Sequence, residues 1–188
     1  MQSSNRPLPP ERWVWLDMEM TGLDENHCAI IQAAMVITDP GLNEIASTDI
    51  AIWQPESVLS NMVPVVRDMH TKNGLLRRVR ASSTSLGEAS EQLMLILSEH
   101  VAYKRGFLAG NSIYMDRKFL QRYMPAIENY VHYRQIDVSS IKIVCMEWHK
   151  QRAPKKPSTH TALEDIRQSI EELKYFRDNC FLPPTLRK

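Results

Sequence analysis

Hydrophobic residues recur along the chain with two different periods, and this pattern predicts strands first and alternating helices and strands later. Residues 12–20 are large and mostly apolar, and they end at a Thr-Gly turn, which is typical of a strand. Residues 29–39 are almost continuously apolar, as expected for a strand that is covered on both faces. A third strand is predicted at about 43–53. Because short turns connect the three, they should form an antiparallel meander.

The second part of the chain alternates helical patterns with short strands. Residues 57–81 are helical with breaks, and an amphipathic helix follows to about residue 103. Strands at 106–111 and 133–138 each lead into a helix, and a last helix is predicted at about 160–178. The expected fold class is therefore α/β: a mixed five-stranded sheet, with three antiparallel strands and then parallel strands, flanked by helices.

Length, composition and charge restrict the possible functions. With 188 residues, 43% hydrophobic and 24% charged, the chain has the composition of one globular domain. Its formal net charge of +1 provides no global attraction to polyanions, so nucleic acid must bind locally, through a patch or a metal. No apolar run approaches the length of a membrane span. Three widely spaced cysteines, without a Cys-x-x-Cys pair, predict reduced thiols in an intracellular protein.

The expected domain occupies residues 12–180. Residues 1–11 contain three prolines and few apolar residues, which predicts a flexible N-terminal tail. Residues 181–188 are expected to be a short C-terminal tail. No repeat, low-complexity block or second domain is indicated.

Two carboxylates in the first strand are the first candidates for chemistry. Asp17 and Glu19 are two residues apart, so their side chains should project from the same face of the strand. Neighbouring acids in an apolar strand repel each other and resist desolvation unless a positive charge lies between them. A hard divalent cation such as Mg²⁺ is one explanation, and a solvated strand face or a strand end at the surface is the other. This pair alone leaves both open.

Three further motifs accompany the acidic pair: Gly-Asn-Ser-Ile-x-x-Asp from 110, His-Tyr-Arg-x-Ile-Asp-Val-Ser from 132, and His-x-x-x-x-Asp from 160. In this order they resemble the DEDD superfamily of 3′-to-5′ exonucleases, in the branch whose last motif is His-x-x-x-x-Asp. The residues within and beside these motifs resemble oligoribonuclease more closely still. This resemblance extends from about Trp13 to about Asn179. The resemblance implies a ribonuclease-H-like exonuclease fold and degradation of short RNA, down to dinucleotides, to 5′-mononucleotides.

The resemblance also implies roles for individual side chains. Asp17, Glu19, Asp116 and Asp165 would ligate two divalent ions, Mg²⁺ or Mn²⁺, with His160 as the general base. The implied substrate-binding residues are Leu23 as a wedge at the bases, His70 against a base, Ser112, Arg134 and Ser139 at the 5′ phosphate, and Tyr133 from a partner subunit. A homodimer is therefore implied. The sequence Ala-Pro-Lys-Lys after residue 152 resembles that of eukaryotic oligoribonucleases. The expected compartment is therefore the cytoplasm, with the mitochondrion as an additional one.

Several alternatives stand beside these roles. An acid in the first turn of a helix, such as Asp116, is also favoured by the helix dipole, and His70 taken alone is typical of a surface histidine. His160 and Asp165 are five residues apart and do not share a helix face, so His160 is expected at the fraying helix start or in the preceding loop. An exonuclease for longer RNA or DNA, a catalytically silent nucleic-acid-binding protein and a metal-binding structural protein are the alternative functions.

Overall fold

Five strands and eight helices occupy the part of the chain that the structure, a computed structural model, describes: residues 11–154 and 161–181. The strands are β1 (Arg12–Met20), β2 (Ile30–Thr38), β3 (Glu44–Ala51), β4 (Gly106–Gly110) and β5 (Gln135–Asp137). The helices are α1 (Glu56–Ser60), α2 (Pro64–Lys72), α3 (Leu75–Ala81), α4 (Leu86–His100), α5 (Tyr114–Tyr123), α6 (Pro125–Tyr130), α7 (Val138–His149) and α8 (Ala162–Cys180). Both predicted tails, apart from Glu11 and Phe181, lie outside the described residues.

All five strands form one mixed sheet in the order β3-β2-β1-β4-β5. β1 pairs antiparallel with β2, and β2 with β3, whereas β4 runs parallel to β1 and β5 runs parallel to β4. The predicted meander followed by parallel strands is therefore confirmed. None of the described helices is long and apolar enough to span a membrane.

Both faces of the sheet are covered. Leu16 and Met18 of β1 pack on one face in the cluster that includes Leu93 and Leu97 of α4. On the other face, Trp15 packs in the cluster that includes Ile166 and Ile170 of α8. All nine residues of β2 are buried, as its continuous apolar pattern predicts. The alternation along β1 leaves Asp17 and Glu19 on the face that α8 covers.

One strand is shorter than predicted. The pattern predicts β5 at 133–138, but pairing with β4 is confined to Gln135–Asp137. Before it, the main-chain N–H of Arg134 donates to Nδ1 of His132 at 3.0 Å, a local turn that replaces the sheet ladder. After it, the Asp137 side chain accepts from the N–H of Ser139 and begins α7. Local side-chain bonds at both ends therefore shorten this strand.

The parallel strands β1, β4 and β5 all end at the same edge of the sheet. Trp15 of β1 lies beside Ala109 of β4, so both chains reach this edge together. A Cβ atom at Gly110 would lie 3.0 Å from the carbonyl oxygen of Leu16, which explains why the smallest residue occupies this position. The turns after β4 and β5 therefore leave the sheet next to the carboxylates of β1, at the edge where ligands bind in open α/β sheets.

Candidate active site

Three of the four predicted ligands form a compact acidic cluster. Asp17 and Glu19 project from β1, and Asp165 lies in the first turn of α8. One carboxylate oxygen from each of these acids lies within 4.8 Å of the others. The N–H of Asp165 donates to the carbonyl of Thr161 at 2.9 Å, which ties this first turn to the residue before the helix. Packing of α8 on the sheet thus brings an acid from the end of the chain to the strand near its start.

The fourth predicted ligand, Asp116, is anchored to the same strand. Only 7% of Asp116 is exposed, and its Oδ1 accepts the main-chain N–H of Met18 at 2.9 Å. Met18 stands between Asp17 and Glu19, so this bond fixes the first turn of α5 beside the acidic pair. Asp116 is outside the set of oxygens within 4.8 Å. Its charge nevertheless raises the pKa of both strand acids.

The electrostatics of the cluster are unfavourable for four ionised acids. Burial, with repulsion from Asp116, Glu19 and Asp165, holds the pKa of Asp17 well above its usual value. Burial and the same kind of repulsion raise the pKa of Glu19 to about 7. Burial raises the pKa of Asp116 to about 7 despite the opposing hydrogen bond from Met18. Because the Glu19 side chain is only 15% exposed, the alternative of a solvated strand face is wrong.

The donor set fits a hard divalent cation. All four side chains offer oxygen only, and oxygen ligands are those that Mg²⁺ and Mn²⁺ prefer. Positive charge among them would remove the repulsion that raises their pKa values. The site therefore suits divalent metal ions.

The structure gives a buried position to His70. This histidine of α2 is 0% exposed, so the alternative of a surface histidine is wrong. Its Nε2 lies 3.7 Å from Oε2 of Glu19, a member of the acidic cluster. Packing of His70 against a base stays a prediction, and it requires a ring face to become accessible.

Two other predicted residues stand in contrasting positions. Leu23, just beyond β1, is 67% exposed and is free to contact a ligand. His160 lies outside the described residues, and its role as a general base stays a prediction. Because α8 begins at Ala162, the sequence places His160 two residues before this helix.

The predicted 5′-phosphate serines lie side by side. Ser112, in the turn after β4, and Ser139, in the first turn of α7, have their hydroxyl oxygens 3.2 Å apart. The N–H of Ser112 also donates to Oγ of Ser139 at 3.1 Å. Ser112 has a φ of 51°, a left-handed conformation that is uncommon outside glycine. This conformation directs its main chain toward α7.

Arg134 and Tyr133 precede β5 and point outward. The Arg134 guanidinium lies 5.3 Å from the ring centroid of Tyr133, in a cation–π contact. Tyr133 is 69% exposed and stacks on His132 with the ring centroids 4.5 Å apart. The Arg134 guanidinium thus contacts an aromatic ring in the described part of the chain, and its contact with a 5′ phosphate beside the serine pair stays a prediction.

Two residues that hold the serine pair had no predicted role. Oδ1 of Asp137 accepts the N–H groups of Ser112 and Ser139, both at 3.0 Å. Oδ1 of Asn111 accepts the hydroxyl of Ser139 at 3.1 Å. The sequence does contain a signal for Asp137, because aspartate is a preferred N-cap residue and Asp137 lies just before a predicted helix. Asn111 has no comparable local signal, since its partners are distant in the chain.

Known proteins resemble this chain in sequence and in fold. Residues 14–173 match the family model RNase_T, described as Exonuclease. An oligoribonuclease of Francisella tularensis subsp. tularensis (strain WY96-3418) is 46% identical over 165 residues, which cover 87% of this chain and 93% of that protein. An oligoribonuclease of Azoarcus sp. (strain BH72) is 46% identical over 173 residues, covering 90% and 95%. E. coli exonuclease I in complex with a 5cy-dT13 oligonucleotide shares the fold with a TM-score of 0.73 at 14% identity, covering 92% of this chain and 42% of that one.

Proposed function

This chain belongs to the RNase_T exonuclease family, and we propose that it degrades short RNA from the 3′ end, down to dinucleotides, to 5′-mononucleotides. The observation that carries the proposal is that the acidic cluster and the serine pair lie at the same edge of the sheet. The acidic cluster suits hydrolysis of a phosphodiester, and the serine pair suits recognition of a terminal phosphate. The oligoribonuclease relatives support short RNA as the substrate class.

We propose that Asp17, Glu19, Asp116 and Asp165 hold two divalent ions, Mg²⁺ or Mn²⁺. Such ions would supply positive charge at the scissile phosphate and at the attacking and leaving oxygens. The four carboxylates would hold the ions, and the hydrogen bond from Met18 fixes Asp116 beside the acidic pair. The ring of His160 would take a proton from the attacking water, a role that suits an imidazole because its pKa lies near neutrality.

The 5′ end of the substrate is proposed to bind at Ser112, Ser139 and Arg134. A guanidinium can contact two phosphate oxygens at once, and the hydroxyls donate single hydrogen bonds. Leu23 is proposed to wedge at the bases and His70 to pack against one. An enzyme that holds both ends of its substrate favours very short chains, because a longer chain cannot place its 5′ phosphate in the same site.

We further propose that a second copy of this chain covers Tyr133 and the outer face of α7. Trp148 is 77% exposed, and Ile143 and Val144 are also exposed on this helix. Val144 and Trp148 are four residues apart and share a helix face, which forms an apolar patch that suits burial. The Trp148→Glu variant should be monomeric in analytical ultracentrifugation, with slower dinucleotide cleavage. A dimer that persists in this variant would exclude α7 as the interface.

A reducing compartment, the cytoplasm or the mitochondrion, is proposed for this protein. Cys28, Cys145 and Cys180 are free thiols in the structure, which fits such a compartment. Fractionation of cells that produce the full-length protein would test this, and recovery from an oxidising compartment would contradict it.

The test of the function is hydrolysis of a 5′-phosphorylated diribonucleotide and of a twenty-nucleotide RNA. Each is measured with Mn²⁺, with EDTA and with the Asp116→Ala variant. Fast, metal-dependent cleavage of the dinucleotide that is lost in the variant is the expected result. Cleavage of the long RNA alone would keep the metal site and exclude the 5′-phosphate assignments. Binding of RNA without cleavage would indicate a catalytically silent protein.

A further inference from the structure

A hydrogen-bonded bridge centred on Asn111 joins the serine pair to the last helix. Asn111 directly follows β4, and its side chain lies between α7 and α8. Its Oδ1 accepts the hydroxyl of Ser139 at 3.1 Å. Its Nδ2 donates to Oγ of Ser169 at 2.7 Å and to Oε2 of Glu172 at 3.3 Å. One side chain thus connects a proposed phosphate-binding residue with two positions on α8.

The chemistry of the neighbours fixes the orientation of this amide. The hydroxyl of Ser169 donates to the main-chain carbonyl of Asp165 at 2.8 Å, so its oxygen is left to accept from Asn111. Glu172 is only 4% exposed, and its Oε1 lies 2.9 Å from Nζ of Lys142, so its carboxylate is an acceptor as well. The amide nitrogen must face these two acceptors, and the amide oxygen must then face Ser139.

The bridge reaches the residue that carries a metal-binding carboxylate. From Ser139 it runs through Asn111 and Ser169 to the main chain of Asp165, three hydrogen bonds in sequence. The serine pair and the first turn of α8 are therefore held at a fixed separation. Ser169 and Glu172 are both buried, so water does not compete freely for these bonds.

We propose that Asn111 is a positioning residue that sets the distance between the 5′-phosphate site and the metal-binding acids, and thereby determines the preference for 5′-phosphorylated dinucleotides. This inference rests on the proposed function. A dinucleotide that contacts the serines with one phosphate and the acids with the other must match that distance. Small errors in such a spacing reduce the rate strongly, because both ends of the substrate then cannot bind together.

The test compares 5′-phosphorylated with 5′-hydroxyl dinucleotides as substrates of the Asn111→Ala variant. The ratio of their kcat/KM values should fall about tenfold, mainly through a higher KM for the phosphorylated substrate, as for loss of one or two buried hydrogen bonds. Asn179→Ala is the matched control, since Asn179 is exposed on α8 and donates to the carbonyl of Tyr175 at 2.8 Å. This control should retain the wild-type ratio. A merely structural role would slow both substrates equally.

A second variant keeps the inference testable if Asn111→Ala is poorly folded. Ser169→Ala removes the hydroxyl that joins Asn111 to the main chain of Asp165 and leaves Asn111 itself unchanged. It should lower the same ratio in the same direction as Asn111→Ala. An unchanged ratio in a folded Asn111→Ala or Ser169→Ala variant overturns the inference and leaves the proposed function standing. A wild-type enzyme that cleaves dinucleotides without preference for the 5′ phosphate overturns the inference and the 5′-phosphate assignments, whereas a wild-type enzyme that cleaves no dinucleotide overturns the proposed function.

Discussion

The two parts of the proposed site are built on opposite principles. The acidic cluster gathers like charges in a buried place, where burial and repulsion raise the pKa values of Asp17, Glu19 and Asp116. The serine pair is instead held by neutral and charge-assisted hydrogen bonds to Asp137 and Asn111. The first part depends on charge and needs a partner cation, whereas the second depends on geometry and is already organised. The same substitution should therefore have different effects in the two parts.

The largest effect is expected for Asp17→Asn, which removes one charge from the acidic cluster without changing its shape. Metal-dependent hydrolysis should fall by at least about 10³-fold, because a carboxamide is a poor ligand for a hard cation. The metal-free variant should also melt several degrees higher than the wild type, because one source of repulsion is gone. Rates with Mn²⁺ and melting curves in EDTA measure the two parts of this prediction.

The opposite directions of activity and stability make this test specific. Asp49→Asn, in the partly buried contact between β2 and β3, is a suitable control for the same chemical change outside the cluster. It should leave the rate near that of the wild type. If Asp17→Asn lost activity together with stability, misfolding would explain the result and the charge argument would fail.

A smaller effect is expected for Arg134→Ala. The KM for a 5′-phosphorylated dinucleotide should rise about 30- to 100-fold, the order of a lost charge-assisted contact with phosphate. The 5′-hydroxyl substrate should be affected much less. Arg134→Lys should recover only part of the loss, since an ammonium cannot bind two phosphate oxygens in the same plane. Equal losses on both substrates would place Arg134 outside the 5′-phosphate site.

Sequence patterns predict the scaffold and the acids well, because both depend on local rules. Alternation along β1 indicates that Asp17 and Glu19 share a face, and continuous apolarity in β2 indicates a strand covered on both sides. The burial of His70 is different, since nothing in its helix pattern distinguishes a surface position from one behind Glu19. The roles of Asn111 and Glu172 depend on a contact across 61 positions of the chain. Such packing is a tertiary property that periodicity does not contain.

The metal-free protein should lose stability as the pH rises. In the folded chain the pKa values of Glu19 and Asp116 are raised to about 7, from ordinary values of 4.5 and 3.8. Between about pH 4 and pH 7 the folded state therefore binds more protons than the unfolded state, and the free energy of unfolding falls with pH. Urea unfolding in EDTA at pH 4.5, 6 and 7.5 should show a decrease of several kcal/mol from these groups, since each group contributes about 1.4 kcal/mol for each pKa unit by which it is raised.

Saturating Mn²⁺ should reverse this trend, because the ionised acids are then the binding form. The variant Glu19→Gln should flatten the decrease in EDTA, as it removes one of the titrating groups. Stability in EDTA that rises steadily over the same range would contradict the raised pKa values.

The smallest effect is expected for Asp137→Asn. This variant replaces one carboxylate oxygen by an amide nitrogen, as Asp17→Asn does. Oδ1 of Asp137 accepts two main-chain N–H groups, and a carboxamide oxygen can accept both equally well. The other oxygen accepts the hydroxyl of Ser140 at 3.0 Å, and an amide nitrogen there can donate to that hydroxyl instead. The KM for the 5′-phosphorylated dinucleotide should therefore change by less than about threefold, whereas Asp137→Ala, which removes the acceptor, should raise it about tenfold. A loss above a hundredfold in Asp137→Asn would mean that charge, and not geometry, holds the serine pair.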